Sequence, residues 1–459
     1  MTKLSDVLDV VVNELDATHD ADGFVTLPDD YLPNFIVTRS GSERHFTKRA
    51  QDAVGALVIR LYSDRSEYQD VVRQEQFRQL VRSCVADLHA EARFATTPSE
   101  GRARLKLLEQ ELEDRLRGVQ LPFGHAFPAT TLGIEAKGTY WVGPVEVASV
   151  KDWFESITLS ARNLRQYGIP ESSDWRAELH VVLQSSERRG VRPNSPDYLE
   201  ELVEAFHGCD AVVSIAVSGL EQHYSREVAR MAARTALDGI SLLSRRGGTA
   251  FSQQALSDER LPPLRSHSVV GFKGEHWIGG SWTERAIPVR QGGIRSNVFG
   301  DERMYESLCE VVGCLVDSRS HRHPQLAMRW AAALEWYAEG CREASATLAV
   351  TKLASSLDVL TCGRTANGIT QMMTNLLGIT PNDPVFENDT ASLRQVVQRI
   401  YGDGRSQLLH GNHVDREVAF DEERGQARAL ADFALLNLLK RLSTYQGPDT
   451  EFAFIDMPP

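Results

Sequence analysis

Apolar and polar positions change period twice along this chain, and the changes divide it into three stretches. Over residues 1–120 the period is helical. Gln69 to Phe94 carries Phe77, Val81, Cys84, Val85 and Leu88 at three- and four-residue steps. Arg104 to Arg117 repeats the pattern with Leu105, Leu108, Leu112 and Leu116 opposite a charged face. Between them Thr97-Pro98-Ser99-Glu100 reads as a capped restart, because proline suits a first helical turn.

Over residues 121–300 the character turns to strands. Phe127 to Ile134 and Thr139 to Val150 are rich in β-branched and aromatic residues and are punctuated by Gly and Pro. Leu179 to Leu183 and Ala211 to Val217 are short apolar runs that fit buried strands, Ser225 to Leu243 returns to helical spacing, and Gly271 to Val289 reads as hairpins. This stretch predicts a mixed α/β region, in the position of a sensor or regulatory domain.

From Asp301 to the last residue, 301–459, the helical signal is strongest. Leu326, Trp330, Ala333, Tyr337, Cys341, Ala344 and Leu348 follow one another at helical steps, interrupted by Gly340, which weakens the case for one unbroken helix. Ala349, Leu353, Leu357 and Leu360 predict a second helix ending near Gly363, and Leu393, Val396, Val397 and Ile400 another over Ser392 to Tyr401. Glu422 to Leu442 has apolar residues over so broad a face that it belongs in the middle of a bundle. The fold class is therefore α+β, mainly helical, with a C-terminal helical bundle. No internal repeat is visible.

Composition narrows the function classes. The 459 residues are 42% apolar and 25% charged, an ordinary globular balance. No apolar run approaches the roughly 20 residues a bilayer span needs. Met1 to Asp20 carries acids throughout, unlike a signal peptide, so a cytoplasmic location is expected. Six cysteines without ligand spacing, Cys309 and Cys314 among them, argue against a disulfide framework and against zinc, and read as small buried hydrophobes. The net charge of −13 excludes a whole-chain basic footprint for nucleic acid and leaves room for a small site that engages a few phosphates.

The chemistry concentrates in Ile400-Tyr401-Gly402-Asp403-Gly404-Arg405-Ser406-Gln407-Leu408-Leu409-His410-Gly411-Asn412. Cleavage of RNA by its own 2′-hydroxyl needs a proton acceptor, help for the leaving oxygen and a fixed cation at the phosphate. Histidine suits the proton work near neutral pH, and arginine offers a permanently charged fork of donors. No metal or other cofactor is needed. On a regular helix five steps set Arg405 and His410 about 140° apart, so the glycines around them, or a second copy of the chain, must bring the two together. Taken alone, Arg405 pairing with an acid and His410 capping a helix are the commoner outcomes.

The surroundings shift that balance. Leu326 to Cys362, with Trp336-Tyr337 and Ser356-Leu357-Asp358-Val359-Leu360, followed by Tyr401 and Arg405-Ser406 to His410-Gly411, resembles the Apea-like HEPN family. The resemblance covers about residues 320 to 445. It implies a helical bundle, a ribonuclease signature carried by Arg405 and His410, and a homodimer that sets two copies of the motif face to face. It also implies supporting roles for Ser406, the polar residue after the arginine, and for Asp358, which stands where the family often has glutamate. Asp358 either orients Arg405 or caps a turn.

Weaker candidates surround this motif. His413 lies three residues past His410, and Ser318 to His323 is a basic cluster whose Arg322 and His323 are possible RNA contacts. Trp330, Trp336 and Tyr337 at helical spacing read as core rather than as base-stacking rings. Gly247-Gly248 and Gly292-Gly293 lie in turn-like contexts without a nucleotide-binding pattern, and no pair of acids stands out for glycoside hydrolysis. The expected function is a metal-independent RNA endonuclease acting in stress or anti-phage defence, with RNA as partner and a phage or cellular trigger sensed by the rest of the chain. The alternative is a non-catalytic dimerisation or binding module.

Overall fold

The helical period of the first 120 residues is realised as four long helices: α1 (Leu4–Thr18), α2 (Lys48–Asp64), α3 (Gln74–Ala90) and α4 (Arg102–Val119). Their apolar stripes meet in one core containing Leu8, Leu15, Leu57, Phe77, Cys84, Leu108 and Leu112. Strands β1 (Phe35–Val37) and β2 (Glu43–His45) form a short hairpin beside them. This computed structural model describes residues 3–19, 34–97, 102–158, 160, 162, 165, 174–177, 206, 209–259, 265–272, 275–282, 293–387, 389–406 and 420–457. The capped restart at Pro98 to Glu100, the apolar run Leu179 to Leu183 and the last part of the hairpin stretch, 283–289, lie outside the described residues. So do His410 and His413.

The chain divides into two units, Met1–Phe123 with Val217–Glu227, and Gly124–Ala216 with Val228–Pro459. The sheet and the helical bundle thus share the second unit. The fold is α+β and mainly helical, with one five-stranded antiparallel sheet in the middle region. Its strands are β3 (Phe123–Thr130), β4 (Tyr140–Val142), β5 (Val145–Ser149), β6 (Ala211–Val217) and β7 (Ala255–Leu256), in the order β4-β5-β6-β3-β7. The register pairs Tyr140 with Val147, Glu146 with Ser214 and Ala129 with Leu256. Thr139 to Val150, expected to form strands punctuated by glycine and proline, folds back on itself, because Gly143 takes φ +58° and turns β4 into β5. A separate hairpin joins β8 (Arg265–Phe272) to β9 (Glu275–Trp282).

Helices α5 (Gln222–Leu243), α6 (Glu302–Val316), α7 (Pro324–Arg342), α8 (Ala346–Leu360), α9 (Thr365–Leu377) and α10 (Asp421–Leu442) follow. The single run expected from Leu326 to Leu348 is two helices. Ser345 accepts a hydrogen bond from the Leu348 backbone and starts α8, and Leu348 is exposed. Gly340 does not interrupt α7: a Cβ there would fall 2.7 Å from Leu353 Cγ, so glycine is what lets α7 and α8 approach closely. Helix α9 has no counterpart among the elements expected from the sequence, although it buries Ile369, Met372, Met373 and Leu376.

Helix α10 packs against α6, α7, α8 and α9, and buries Ala427, Leu430, Ala434, Leu435, Leu438 and Leu439. At its centre Trp330 and Tyr337 of α7 are fully buried, and the Trp330 indole donates to the Leu435 carbonyl at 2.9 Å. Trp336, expected in the core with them, is instead 43% exposed on the outer side of α7. The tail returns over the helix ends. Asp449 accepts from the Gln325 and Leu326 backbone at the start of α7, Asn375 donates to the Ile455 carbonyl, and Arg441 to the Met457 carbonyl. No described helix is long and apolar enough to cross a membrane.

Candidate functional site

Two pairs of side chains, each one helical turn apart, face one another across α8 and the segment Gln398–Ser406. Ser355 and Asp358 belong to α8; Tyr401 and Arg405 belong to the facing segment. Arg405 Nε donates to Ser355 Oγ at 3.0 Å, Nη1 to the Tyr401 hydroxyl at 2.9 Å, and Nη2 lies 3.3 Å from Asp358 Oδ2. The guanidinium carbon also sits 5.0 Å from the centre of the Tyr401 ring. Each of the three guanidinium nitrogens therefore has its own protein partner. Of the five N–H groups an arginine carries, one on each terminal nitrogen is outside these bonds.

Asp358 performs both functions that its position allows. Its Oδ2 takes Arg405 and, at 3.5 Å, the Tyr401 hydroxyl, while Oδ1 accepts from the Thr365 backbone at 3.2 Å. That second bond braces the corner between α8 and α9, where Cys362, Gly363 and Thr365 all have positive φ. The carboxylate is 11% exposed and the Arg405 side chain 24%, so their attraction acts in a partly dry site and is stronger than a surface pair. Burial, followed by the Asp358 charge, pushes the Tyr401 phenol above its ordinary value, so it keeps its proton.

The facing segment starts as an α-helix, Leu393–Val397, behind a capping box in which Ser392 accepts from Gln395 and Gln395 from Ser392. From Gln398 to Ser406 it is a π-helix, with bonds to the fifth residue on. Ile400 reaches the core, and Gly404 lies against Val350 of α8, where a Cβ would come within 2.7 Å of Val350 Cγ1. The glycine makes the approach possible, and the approach places Arg405 beside Ser355. Within Gln398–Ser406 the wider π turn replaces regular α-helical spacing, so residues five apart such as Ile400 and Arg405 fall on adjacent turns.

Of the residues singled out from the sequence, Arg405 and Asp358 are brought together. Ser406 is half-buried at the end of the π segment. Arg322 is exposed and donates to the Gln446 side chain, apart from the Arg405 group. His323 is 4% exposed, directly before α7, with its Nε2 3.0 Å from the Tyr445 carbonyl. A ring so enclosed is a structural joint with the tail. Ser356, quoted in the motif, donates to the Ala333 carbonyl and ties α8 to α7. The two partners that sequence reasoning left out are Ser355 and the Tyr401 hydroxyl. The signal for them was the double spacing, 355/358 and 401/405, which sets each pair on one helical face.

Among the described residues no group of three His, Cys, Asp or Glu side chains is placed to hold a metal ion. Of the cysteines, Cys84 and Cys314 are buried as expected, whereas Cys309 is half-buried and hydrogen-bonded to Tyr305. No protein-family model, curated protein or solved structure matches this chain.

Proposed function

We propose that this chain is a metal-independent RNA endonuclease of the HEPN type, working as a homodimer in stress or anti-phage defence. The observation that carries the reading is the preorganised Arg405. Ser355, Tyr401 and Asp358 fix its guanidinium, and among the described residues one N–H on each terminal nitrogen lies outside these bonds, suited to a phosphate oxygen. A fork fixed before substrate arrives loses little on meeting charge that develops at a cleaved phosphodiester. His410, five residues on, supplies the proton chemistry in this reading: it takes the 2′-hydroxyl proton or gives one to the departing 5′ oxygen. The products are then a 2′,3′-cyclic phosphate and a 5′-hydroxyl, with atoms and charge balanced and no water consumed.

The test is cleavage of RNA in EDTA by the purified full chain. Wild type is expected to cut and leave cyclic phosphate ends, and Arg405→Ala and His410→Ala each to lower the rate about 10²–10⁴-fold with an unchanged melting profile for His410→Ala. Full activity in the His410→Ala protein would sink the mechanism.

A further inference from the structure

Helix α7 turns one ridge away from the bundle. Met328, Ala332 and Trp336 stand four residues apart along it, and all three are exposed, Met328 to 44% and Trp336 to 43%. Polar and charged side chains flank the ridge. Arg329 gives its Nη1 to the Val359 carbonyl at 3.2 Å, its buried Nε has no hydrogen-bond partner, and no described carboxylate pairs with it. Glu335 pairs with Arg234 at 2.9 Å and is still 55% exposed. Gln325 is exposed near the start of the helix, and Glu339 is half-buried near its end.

These residues are ordered symmetrically about Ala332. Met328 and Trp336 lie four positions to either side of it, Arg329 and Glu335 three, and Gln325 and Glu339 seven. A two-fold axis at Ala332 that sets two α7 helices antiparallel therefore brings each residue level with its opposite number on the other copy. The Met328 thioether comes level with the Trp336 ring, a favourable contact for both. Arg329 comes level with Glu335 and, one position on, with the same ring, so a cation without a carboxylate gains an acid and a π face. The Gln325 amide comes level with the Glu339 carboxylate. Ala332 meets only itself, and its small side chain lets the ridges close. A parallel pair would instead set Glu335 against Glu335, Glu339 against Glu339 and Arg329 against Arg329, like charge on like charge. A phosphate backbone suits the face poorly, since Glu335 and Glu339 stand on it.

We propose that this ridge of α7 is a contact between two copies of the chain, antiparallel about Ala332. That the chain pairs at all belongs to the ribonuclease reading; the face that pairs follows from the order of residues on α7 and uses none of the Arg405 group.

The experiment places one cysteine at a time in the full chain and oxidises it with copper phenanthroline, reading dimer on a non-reducing gel. Ala332→Cys sits on the axis and is expected to cross-link to its own copy, above the background of the wild-type cysteines. Gln325→Cys, seven residues from the axis, sets its two thiols about 21 Å apart and is expected to add nothing to that background. Both positions are exposed, so both variants keep the fold. Sedimentation velocity over a concentration series gives the second readout: Ala332→Arg, which crowds the axis with bulk and like charge, should raise the dimer Kd at least about 10-fold. A cross-link at Gln325→Cys equal to that at Ala332→Cys shows parallel pairing and overturns the proposal. A wild-type chain that stays monomeric at about 100 times a typical micromolar Kd overturns both the face and the homodimer. A dimer that ignores Ala332→Arg and does not cross-link through Ala332→Cys overturns the face and leaves the homodimer standing. A dimer joined at Ala332 that cuts no RNA refutes the nuclease and keeps the face.

Discussion

At the scale of single residues, Tyr401 separates orientation from charge. Its hydroxyl accepts from Arg405 and donates to Asp358, while its ring lies by the guanidinium. Tyr401→Phe keeps the ring and removes the hydroxyl, so Arg405 retains Ser355 and Asp358 but loses one of three anchors. We expect the RNA cleavage rate at saturation to fall about 10-fold, the loss of roughly one hydrogen bond's worth of positioning, with KM nearly constant. An equal fall in Arg405→Ala and Tyr401→Phe would show that the hydroxyl acts on substrate instead of holding the arginine. The arginine was legible in the sequence from its neighbours. The hydroxyl and Ser355 were not, because their roles exist only once two segments some fifty residues apart are placed face to face.

At the scale of elements, the close packing of the π segment on α8 is carried by one hydrogen atom. Gly404→Ala would bring a methyl within 2.7 Å of Val350 Cγ1 and 3.4 Å of the Arg399 carbonyl. Neither neighbour is the free end of a flexible chain, so the segment must lift away. We expect a loss of about 1–3 kcal/mol, read by thermal or urea unfolding, together with reduced cleavage. Val350→Ala should make the second change milder; strictly additive losses in the double variant would remove the steric explanation. Elements built on strong periodicity, such as α3 and α4, were readable because burial follows their apolar stripe, and α10 was readable from the breadth of its apolar face. Helix α9 was missed because Thr365, Asn367 and Gly368 open it with weak helix formers, and its helicity comes from packing. The break at Ser345 was hidden by apolar residues that keep step across it.

At the scale of the whole molecule, the two units carry titrating groups of opposite sign. In the second unit Glu135 is 3% exposed, its Oε2 has no hydrogen-bond partner, and burial pushes it up to about 7 against the opposing bond from Thr131. Asp238, buried beside Arg342, is pushed by burial up to about 6. A carboxyl raised above its unfolded value binds its proton more tightly in the fold, so its contribution is present at low pH and fades as pH rises through the folded value. In the first unit burial, then Arg44, push His19 down to about 4, and burial lowers His89. A depressed histidine contributes stability above its unfolded value, near 6.5, and loses it as pH falls. Scanning calorimetry at pH 7.5 and 5 should therefore show the two transitions shifting relative to one another, the second unit gaining on the first in acid. Glu135→Gln should flatten the second shift by on the order of 1–3 kcal/mol; a variant that follows wild type at both pH values would contradict the assignment.

The returning tail sets an order of events in time. Asp449 caps α7, Tyr445 holds His323, and the last described residues hold α9 and α10 through Asn375 and Arg441. Every element they fasten precedes them in the chain, so during synthesis each leaves the ribosome first and waits. The bundle that carries Arg405 is therefore latched by a segment that follows it, and a chain made only as far as Leu442 holds the arginine without the latch. Under the proposed nuclease reading, that order keeps the arginine from its braced position until the residues that fasten the bundle have been made.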